Sequence, residues 1–427
     1  MAEQVSSLRT GIKYKNTPIG KIPVDWELVQ LGDICEEIYR YPTYYNIKYV
    51  EQDGVPEVRG ELIRINGELS SDPSEYRYIS KETSANFPRT ILHEGDFVLS
   101  VRGTMGKIGY ISSRLENANM TANLMRISPD RIKVYPLWLK QFLLSDFFQK
   151  RLEEASSATT IKTIKAPELK AIELPLPLLS EQKKIAEILT TMDEAIEKTS
   201  QIIEKTKEAK KGLMQRLFTR GIGHKKFKKT EIGEIPVEWE VGEISNYGEI
   251  LTGNTPPTNV PQYYGNEYPF VSPFDLGNKR IIRKTEKYLS KEGFAVARAL
   301  PANSVLVVCI GSTIGKTGIA GTELATNQQI NSIICKNSDY NFVYYYATFI
   351  NQEFKQLAGT QAVPILNKGN FSKVKVAIPP LSEQNEIGGI LSAIDDKIEK
   401  ELDHKAQLES LKKGLMQVLL TGKIRVL

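Results

Sequence analysis

Cysteine and histidine are scarce in this sequence of 427 residues, with three of each. The cysteines are Cys35, Cys309 and Cys335, and the histidines are His93, His224 and His404. None of them form the closely spaced pairs from which structural zinc sites are built, and three scattered thiols do not make a disulfide framework. The sequence therefore predicts neither a metal centre nor a disulfide-stabilised fold.

Long apolar runs are also missing. No stretch approaches the roughly 18 apolar residues of a membrane span, and the first residues lack the apolar core of a secretory signal. The expectation is a cytoplasmic protein without membrane contact. Hydrophobic residues make up 41% and charged residues 25%, as in ordinary globular domains. A net charge of +5 permits a polyanionic partner without requiring one.

The sequence contains an internal duplication. Residues 17–27 recur as residues 230–240, each segment carrying an Ile-Pro-x-x-Trp motif that ends at Trp26 or Trp239. Leu-Ser-Glu-Gln at 179–182 returns at 381–384, and Lys-Lys-Gly-Leu-Met-Gln at 210–215 returns at 412–417. A repeat of this length predicts two copies of one structural unit.

Each half combines a variable part of about 160 residues with a similar segment of about 40. The variable parts carry short β-branched runs broken by turn residues, such as 96–101 and 304–309, which predict β-rich domains. The similar segments follow prolines, with Ser180 or Ser382 expected as the N-cap and an acidic residue in the first turn. Both are predicted to begin long helices. The predicted boundaries are 1–177 and 220–379 for the domains, and 178–219 and 380–427 for the helices.

Both predicted helices carry a narrow apolar stripe at helical spacing. Its members are Ile185, Leu189, Met192, Ile196, Ile203, Leu213 and Leu217 in the first helix, and Ile387, Leu391, Ile394, Ile398, Leu415 and Leu419 in the second. Lys405 replaces the apolar residue at one equivalent position. The stripe favours a coiled-coil-like pairing of the two helices. The alternative is that each helix lies across its own domain, although 40 residues span about 60 Å.

Glycines at equivalent positions, Gly212 and Gly414, interrupt both predicted helices. They are compatible with a close approach of another backbone or with a bend near the helix end. The sequence leaves these two readings open.

Motifs for catalysis are not found. The segment 311–317 looks like a phosphate-binding loop, but only three residues separate Gly311 from Gly315, where that loop needs four. We find no glycine-rich cofactor fingerprint, no nuclease constellation and no Ser/His/Asp set that recurs with the duplication. The sequence favours a protein that is not itself an enzyme.

In their order, these repeated motifs resemble the specificity subunits of type I restriction-modification systems. The resemblance covers nearly the whole chain. It rests on the Ile-Pro-x-x-Trp entries, the Leu-Ser-Glu-Gln helix starts, the Lys-Lys-Gly-Leu-Met-Gln helix ends and the Gly-Asn-Thr-Pro turn at 253–256. The first variable part departs from the second at its opening, where 37–42 replace that turn, so the resemblance implies different half-site sequences.

The resemblance implies an α+β fold in which two β-rich target recognition domains are joined by two long antiparallel coiled-coil-like helices with pseudo-two-fold symmetry. Each domain is then expected to read one half of a bipartite site in double-stranded DNA. The helices are expected to set the spacer and to dock two modification subunits, alongside restriction subunits. No cofactor is expected in this chain, because S-adenosylmethionine, ATP and Mg are expected on the partner subunits.

Base reading in the major groove uses Arg or Lys for guanine and Asn or Gln for adenine, whereas phosphates need only a cation. Candidates were chosen in or beside turns between strand-like runs: Arg59, Arg64, Arg102, Lys107, Arg280, Arg283, Lys284 and Lys316. The competing interpretation for each is a solvated surface cation. Asn327, Gln328 and Gln329 form a polar run that suits adenine or simply fills a loop. The tyrosine pairs at 44–45 and 263–264 favour core packing over stacking on DNA.

Two other classes of function remain open at this point. One is a fused enzyme, such as a methyltransferase or nuclease, which the missing motifs disfavour. The other is a non-catalytic helical scaffold whose variable domains bind protein. A DNA-binding assay at a stated salt concentration separates the scaffold from a DNA reader.

Overall fold

The structure is a computed structural model that describes residues 13–40, 47–102, 104–156, 163–277, 279–360 and 362–426. These residues form two compact units. Unit 1 comprises described residues of Met1–Ser200 and Asp403–Leu427, and unit 2 comprises those of Gln201–Leu402. Each unit therefore combines one β-rich domain with part of each long helix.

The α-helices of the described residues begin in the first domain and end with the second long helix. They are α1 (Lys81–Asn86), α2 (Pro136–Leu144), α3 (Asp146–Ala155), α4 (Ala166–Lys170), α5 (Leu179–Arg220), α6 (Lys291–Val296), α7 (Tyr340–Phe349), α8 (Asn351–Ala358), α9 (Lys368–Ser372) and α10 (Leu381–Leu419). The two long helices are α5 and α10, as the sequence predicts. No described helix is long and apolar enough to cross a membrane.

The strands of unit 1 build several small sheets. They are β1 (Tyr14–Thr17), β2 (Gly20–Pro23), β3 (Glu27–Gln30), β4 (Cys35–Arg40), β5 (Val55–Val58), β6 (Arg77–Ile79), β7 (Phe97–Ser100), β8 (Ile108–Tyr110), β9 (Asn119–Met120), β10 (Leu124–Pro129) and β11 (Glu173–Leu176). The main sheet is antiparallel with the order β4-β10-β7-β8, and a second sheet has the order β6-β5-β9. Strands β1 and β2 pair as a hairpin, and β3 pairs with β11.

Unit 2 repeats this plan. Its strands are β12 (Phe227–Thr230), β13 (Gly233–Pro236), β14 (Glu240–Glu243), β15 (Gly248–Thr252), β16 (Tyr264–Val271), β17 (Ile281–Ile282), β18 (Lys287–Leu289), β19 (Ala299–Leu300), β20 (Val305–Val308), β21 (Thr317–Ala320), β22 (Leu324–Thr326), β23 (Ile330–Cys335) and β24 (Lys375–Ile378). The main sheet is β15-β23-β20-β21-β17, the second is β18-β16-β22-β19, and β12 pairs with β13 as β14 does with β24. The internal duplication is thus confirmed at the level of topology.

The central strand of each main sheet separates two cores. Along β7, Phe97 and Leu99 face the core that includes the long helices, whereas Val98 faces the core beneath the second sheet. Strand β20 divides its residues in the same way. Because side chains alternate between the two faces of a strand, a run buried on both faces reads as continuously apolar. This explains the apolar runs at 97–99 and 305–309.

Within each unit the two helix segments run antiparallel, as predicted. In unit 1, Arg425, which lies beyond α10, forms an ion pair with Glu181 at the start of α5. Lys412, within α10, forms an ion pair with Asp193, which lies further along α5. In unit 2, Lys210 of α5 contacts Asp395 of α10 in the equivalent way. The residue numbers fall along one helix as they rise along the other.

The first turns of the long helices differ from the expectation. Ser180 and Ser382 are not N-caps, because the helices already begin at Leu179 and Leu381. The backbone carbonyls of Leu178 and Pro380 accept the first intrahelical bonds instead. Each helix thus begins two residues earlier than the predicted N-cap implies, which places the serine inside the first turn.

The apolar stripe serves the domain cores at its ends. Ile185, Leu189, Leu415 and Leu419 belong to the main core of unit 1, and Leu213, Leu217, Ile387 and Leu391 belong to that of unit 2. Towards the middle, Ile203 and Ile398 are buried, whereas Met192, Ile196 and Ile394 are half-buried. Each helix therefore pairs antiparallel with its partner and also packs on a domain. The predicted helix pairing and its alternative, packing across a domain, both occur.

The helix glycines do not mark a close backbone approach. A Cβ atom built at Gly212 or Gly414 meets nothing within 4 Å. Both glycines are helical and exposed. They therefore do not make room for another element to approach the helix.

Candidate nucleic-acid interface

The repeated entry and helix-start motifs meet in each unit and have a structural role. In unit 1 the indole Nε1 of Trp26 donates to Glu181 Oε2 at 2.9 Å. Arg425 donates two further hydrogen bonds to the Glu181 carboxylate, at 2.7 and 2.8 Å, and two to Asp25 at 2.8 Å. Glu181 and Arg425 are buried, and we call this cluster the clasp of unit 1.

Unit 2 has an equivalent clasp with a different cation. Trp239 Nε1 donates to Glu383 Oε2 at 2.8 Å. His224 takes the place of the arginine, with Nε2 at 3.0 Å from both Glu383 oxygens and Nδ1 at 3.0 Å from Glu238 Oε2. The motifs that define the repeat thus fix each domain onto its helix, and this explains why they recur while the loops vary.

The two cations respond differently to their surroundings. Burial lowers the pKa of His224, but its hydrogen bonds to Glu383 and the charges of Glu383 and Glu238 outweigh that effect, so its pKa lies above the usual 6.5. The hydrogen bonds of Glu181 raise the pKa of Arg425, which stays charged at every accessible pH. Of these two cations, only His224 can therefore lose its proton as the pH rises.

Two of the first-domain candidates have protein partners. Arg59 pairs with Glu61 at 2.7 Å and donates to the carbonyl oxygen of Glu75. One terminal nitrogen of the Arg64 guanidinium donates to both oxygens of the Glu75 carboxylate, at 2.8 and 2.9 Å. Their charges are already neutralised by neighbours, which favours a structural role for both arginines.

The other two first-domain candidates lie on one loop after β7. Arg102 is exposed and Lys107 is half-buried, and neither forms an ion pair within the described part of the chain. Ser100 Oγ donates to the carbonyl oxygen of Thr104 at 2.5 Å and accepts from the amide of Lys107 at 3.0 Å. Arg102 and Lys107 thus place two cationic groups between β7 and β8.

The second-domain candidates divide in a similar way. Arg280 donates to Asn341 at 2.9 Å and to Asp396 at 2.7 Å, and it ties the domain to α10. Arg283 and Lys284 are exposed. Within the described residues, the Arg283 side chain donates one hydrogen bond, to the carbonyl oxygen of Gly321. Lys316 lines a cavity of about 350 Å³ on the glycine-rich loop.

Sequence reasoning missed some residues at this surface. Arg40, at the end of β4, lies close enough to Arg102 for the two charges to interact. Lys355 of α8 faces the same cavity as Lys316. The sequence signal for Arg40 is the departure of 37–42 from the turn of the second half.

The polar and aromatic runs are placed as follows. Gln328 is exposed and its Oε1 accepts from Thr255 Oγ1 at 2.6 Å, while Asn327 and Gln329 bond to each other. Tyr264 packs against the apolar cluster beneath the second sheet of unit 2. Residues 44 and 45 lie outside the described residues.

The three cysteines lie in surroundings that disfavour the thiolate form. Burial raises the pKa of the Cys35, Cys309 and Cys335 thiols to about 12, so they remain protonated and poorly nucleophilic. Among the described residues no three His, Cys, Asp or Glu side chains cluster to hold a metal ion.

Comparison with known proteins gives this arrangement a family. The model of the type I restriction modification DNA specificity domain matches twice, at residues 23–208 and 236–410. Two proteins from Methanocaldococcus jannaschii, named as type I restriction enzyme specificity subunits, are similar along the whole chain. MjaX is 34% identical, covering 97% of both chains, and MjaVIII is 30% identical, covering 95% of this chain and 94% of the relative.

A solved structure shares the fold. The S subunit of a type I restriction-modification system from M. genitalium superposes with a TM-score of 0.58 at 13% identity, covering 97% of each chain. The two matched segments each begin at the proline of an entry motif and include one β-rich domain and one helix start. The family model matches twice, and the two relatives are similar over nearly their full length. This chain therefore belongs to the specificity subunits of type I restriction-modification systems.

Proposed function

We propose that this chain selects DNA for its complex by reading a bipartite site, with one half-site for each β-rich domain. The observation that carries the proposal is the duplication itself. The clasps are the same in kind, whereas the loops between the strands differ in sequence. A protein that must hold two copies of a scaffold while reading two unlike half-sites needs this combination.

The surface chemistry supports DNA as the ligand. Arg102, Lys107, Arg283, Lys284 and Lys316 lack carboxylate partners within the described residues, whereas other arginines of the same domains are paired. Unpaired cations at loops suit phosphates and base edges. The protein-binding scaffold has no comparable observation in its favour.

The proposed partners follow from the family. The paired helices would set the spacer and dock two modification subunits, with restriction subunits joining that assembly. Chemistry that needs S-adenosylmethionine, ATP or Mg would then belong to the partners, and this chain would hold no cofactor.

The decisive experiment is selection from a randomised duplex DNA library by the full-length chain co-purified with its modification subunits. We expect enrichment of a motif with two short specific halves separated by an unspecified spacer. Binding should weaken steeply between 50 and 200 mM salt, because phosphate contacts release counterions. Binding without any enriched motif, or capture of protein only, would contradict the proposal.

The proposal also predicts that the chain alone neither methylates nor cleaves DNA. Radiolabelled S-adenosylmethionine and plasmid DNA, incubated with the purified chain, should give no labelled or nicked product above a buffer control. Adding the modification subunits should restore methyl transfer. Methylation by the chain in the absence of partners would overturn this assignment.

A further inference from the structure

Two arginines meet at one end of the main sheet of unit 1. Strand β10 lies between β4 and β7, and its Met125 pairs with Arg40, the last residue of β4. On its other side, Leu124 pairs with Ser100 and the amide of Val101 donates to the carbonyl oxygen of Asn123 at 3.0 Å. Arg40 and Arg102 therefore flank the start of the same strand.

No carboxylate neutralises this pair within the described residues. Arg40 Nε is buried and has no hydrogen-bond partner in the part of the chain that the structure describes, and Arg102 is exposed. By contrast, Arg126 of β10 and Arg89, which lies outside the sheet, share the carboxylate of Glu37 on β4. A buried, unpaired guanidinium N–H is costly, and two guanidinium groups side by side repel each other. The site is thus built to receive hydrogen-bond acceptors from outside the chain.

The burial of Arg40 and the charge of Arg102 both lower the pKa of Arg40. Arginine still remains protonated at neutral pH, so both groups act as donors only. Arg40 is the last residue of β4, and Arg102 follows Val101, whose amide donates to the carbonyl oxygen of Asn123. Both donors therefore stand beside backbone that the main sheet holds, as base recognition requires.

The equivalent sheet end of unit 2 has different chemistry. The amide of Cys309 donates to Gln329 as that of Val101 does to Asn123. The amide of Asn327 donates to Val271 as that of Thr121 does to Val58. These bonds align the two units residue by residue. Thr252 stands in the place of Arg40, Ile310 in that of Arg102, and Gln328 in that of Ala122.

Building on the DNA-reading function proposed above, we propose that Arg40 and Arg102 read guanine in the half-site of the first domain, and that Gln328 reads adenine at the matching place in the second. A guanidinium donates two hydrogen bonds to guanine O6 and N7, and a glutamine amide pairs with adenine N6 and N7. Thr255 orients the Gln328 amide through its bond to Oε1. The two half-sites then differ because their readers differ.

A phosphate contact is the competing role for Arg102, and lysine distinguishes the two. Arg102→Lys keeps the positive charge but loses the planar fork needed for two hydrogen bonds to guanine. For a phosphate contact the substitution is nearly silent. For guanine reading it acts almost like Arg102→Ala at one base position.

The test uses the full-length chain with its modification subunits and the same randomised duplex library. The wild type should enrich guanine at a position in one half-site, and Arg102→Lys should reduce that preference by about 5- to 150-fold. The other half-site and the salt dependence of non-specific binding should be unchanged. Gln328→Ala should do the reverse, losing an adenine in the half-site that Arg102→Lys leaves intact.

Arg77→Lys is the matched control, because it makes the same change at an exposed arginine of the same unit that lies on β6, in the second sheet, and it should leave the motif unchanged. Arg40→Lys is tested beside Arg102→Lys, and the exposed Arg102 keeps the test valid where the Arg40 variant fails to fold. An unchanged motif in Arg102→Lys, with Arg102→Ala weakening all sequences equally, overturns guanine reading but leaves the proposed function standing. Failure of the wild type to enrich any motif overturns both.

Discussion

A tryptophan, a glutamate and a cation meet in each unit, and they show how single residues decide where a domain is fixed. The Trp26–Glu181 and Trp239–Glu383 bonds are nearly identical in length, at 2.9 and 2.8 Å. Removing one partner of a buried ion pair typically costs about 3–5 kcal/mol. The clasps are therefore expected to be among the strongest single constraints on each unit.

His224 predicts a pH dependence of unit 2. Its pKa is raised in the folded state by Glu383 and Glu238, against the effect of burial. A raised folded-state pKa stabilises the protein fully below the unfolded value of about 6.5, and the gain is lost as pH rises through the folded-state pKa. The melting temperature of the transition assigned to unit 2 should therefore fall as pH rises from 6 to 9.

The control for this prediction is His224→Gln, which cannot titrate. Differential scanning calorimetry of both proteins across that pH range isolates the histidine, because the other ionisable groups are shared. The difference between the wild type and His224→Gln should shrink with rising pH. A constant difference would show that His224 carries no charge-dependent stability.

At the scale of elements, two adjacent glycines of α10 offer a matched pair of substitutions. A Cβ at Gly389 meets nothing within 4 Å, so Gly389→Ala should stabilise the protein by about 1 kcal/mol through helix propensity. A Cβ at Gly388 would collide with Asp339, whose carboxylate caps α7 by accepting from the amide of Phe342 at 2.7 Å. Gly388→Ala should therefore destabilise unit 2 by more than 1 kcal/mol.

Urea unfolding followed by circular dichroism measures both variants. Opposite signs at neighbouring positions would rule out a general effect of adding a methyl group to this helix. Stabilisation by both would show that α7 and α10 are less closely packed than the structure has them.

The long helices predict a further effect on DNA spacing. Inserting one heptad after Ile196 and another after Ile398 keeps the apolar stripe on nearly the same face. Each helix lengthens by about 10 Å, which corresponds to roughly three base pairs of rise and about 100° of rotation along the duplex. Library selection should return a longer spacer, or affinity should fall towards that of one domain.

A four-residue insertion in α5 alone is the control for the heptads. It displaces one stripe against the other and should lower thermal stability before it alters DNA spacing. Unchanged spacer preference at unchanged affinity in the double-heptad protein would refute a spacing role for the helices.

The helices and the duplication were predictable from sequence, because both depend on local patterns. The stripe spacing predicts α5 and α10, and their antiparallel direction follows from the repeat. The pairing of Arg64 with Glu75 and of Arg280 with Asp396 was not predictable, since each depends on how distant segments meet. For the same reason the sequence does not predict that Arg40 lies beside Arg102, since this depends on the strand register.

At the scale of the molecule, the two-domain arrangement predicts modular specificity. The proposed exchange replaces residues 31–174 with the matching segment of another family member. Its cut points lie where β3 and β11 pair, with Gln30 opposite Glu173, so the clasp and helices are retained. Library selection with the hybrid should return a motif changed in one half only. Change in both halves would argue against independent reading.

The clasp of unit 1 also has a consequence for biosynthesis. Residues 201–402 contain every segment of unit 2. Unit 1 is complete only after Arg425 has been synthesised and can bind Glu181 and Asp25. At roughly 5–20 residues per second, about 200 residues take the ribosome roughly 10–40 s. The domain that is translated first is thus completed last. Its core must remain unfinished in the cell while the second domain is made, which gives chaperones a defined interval in which to act.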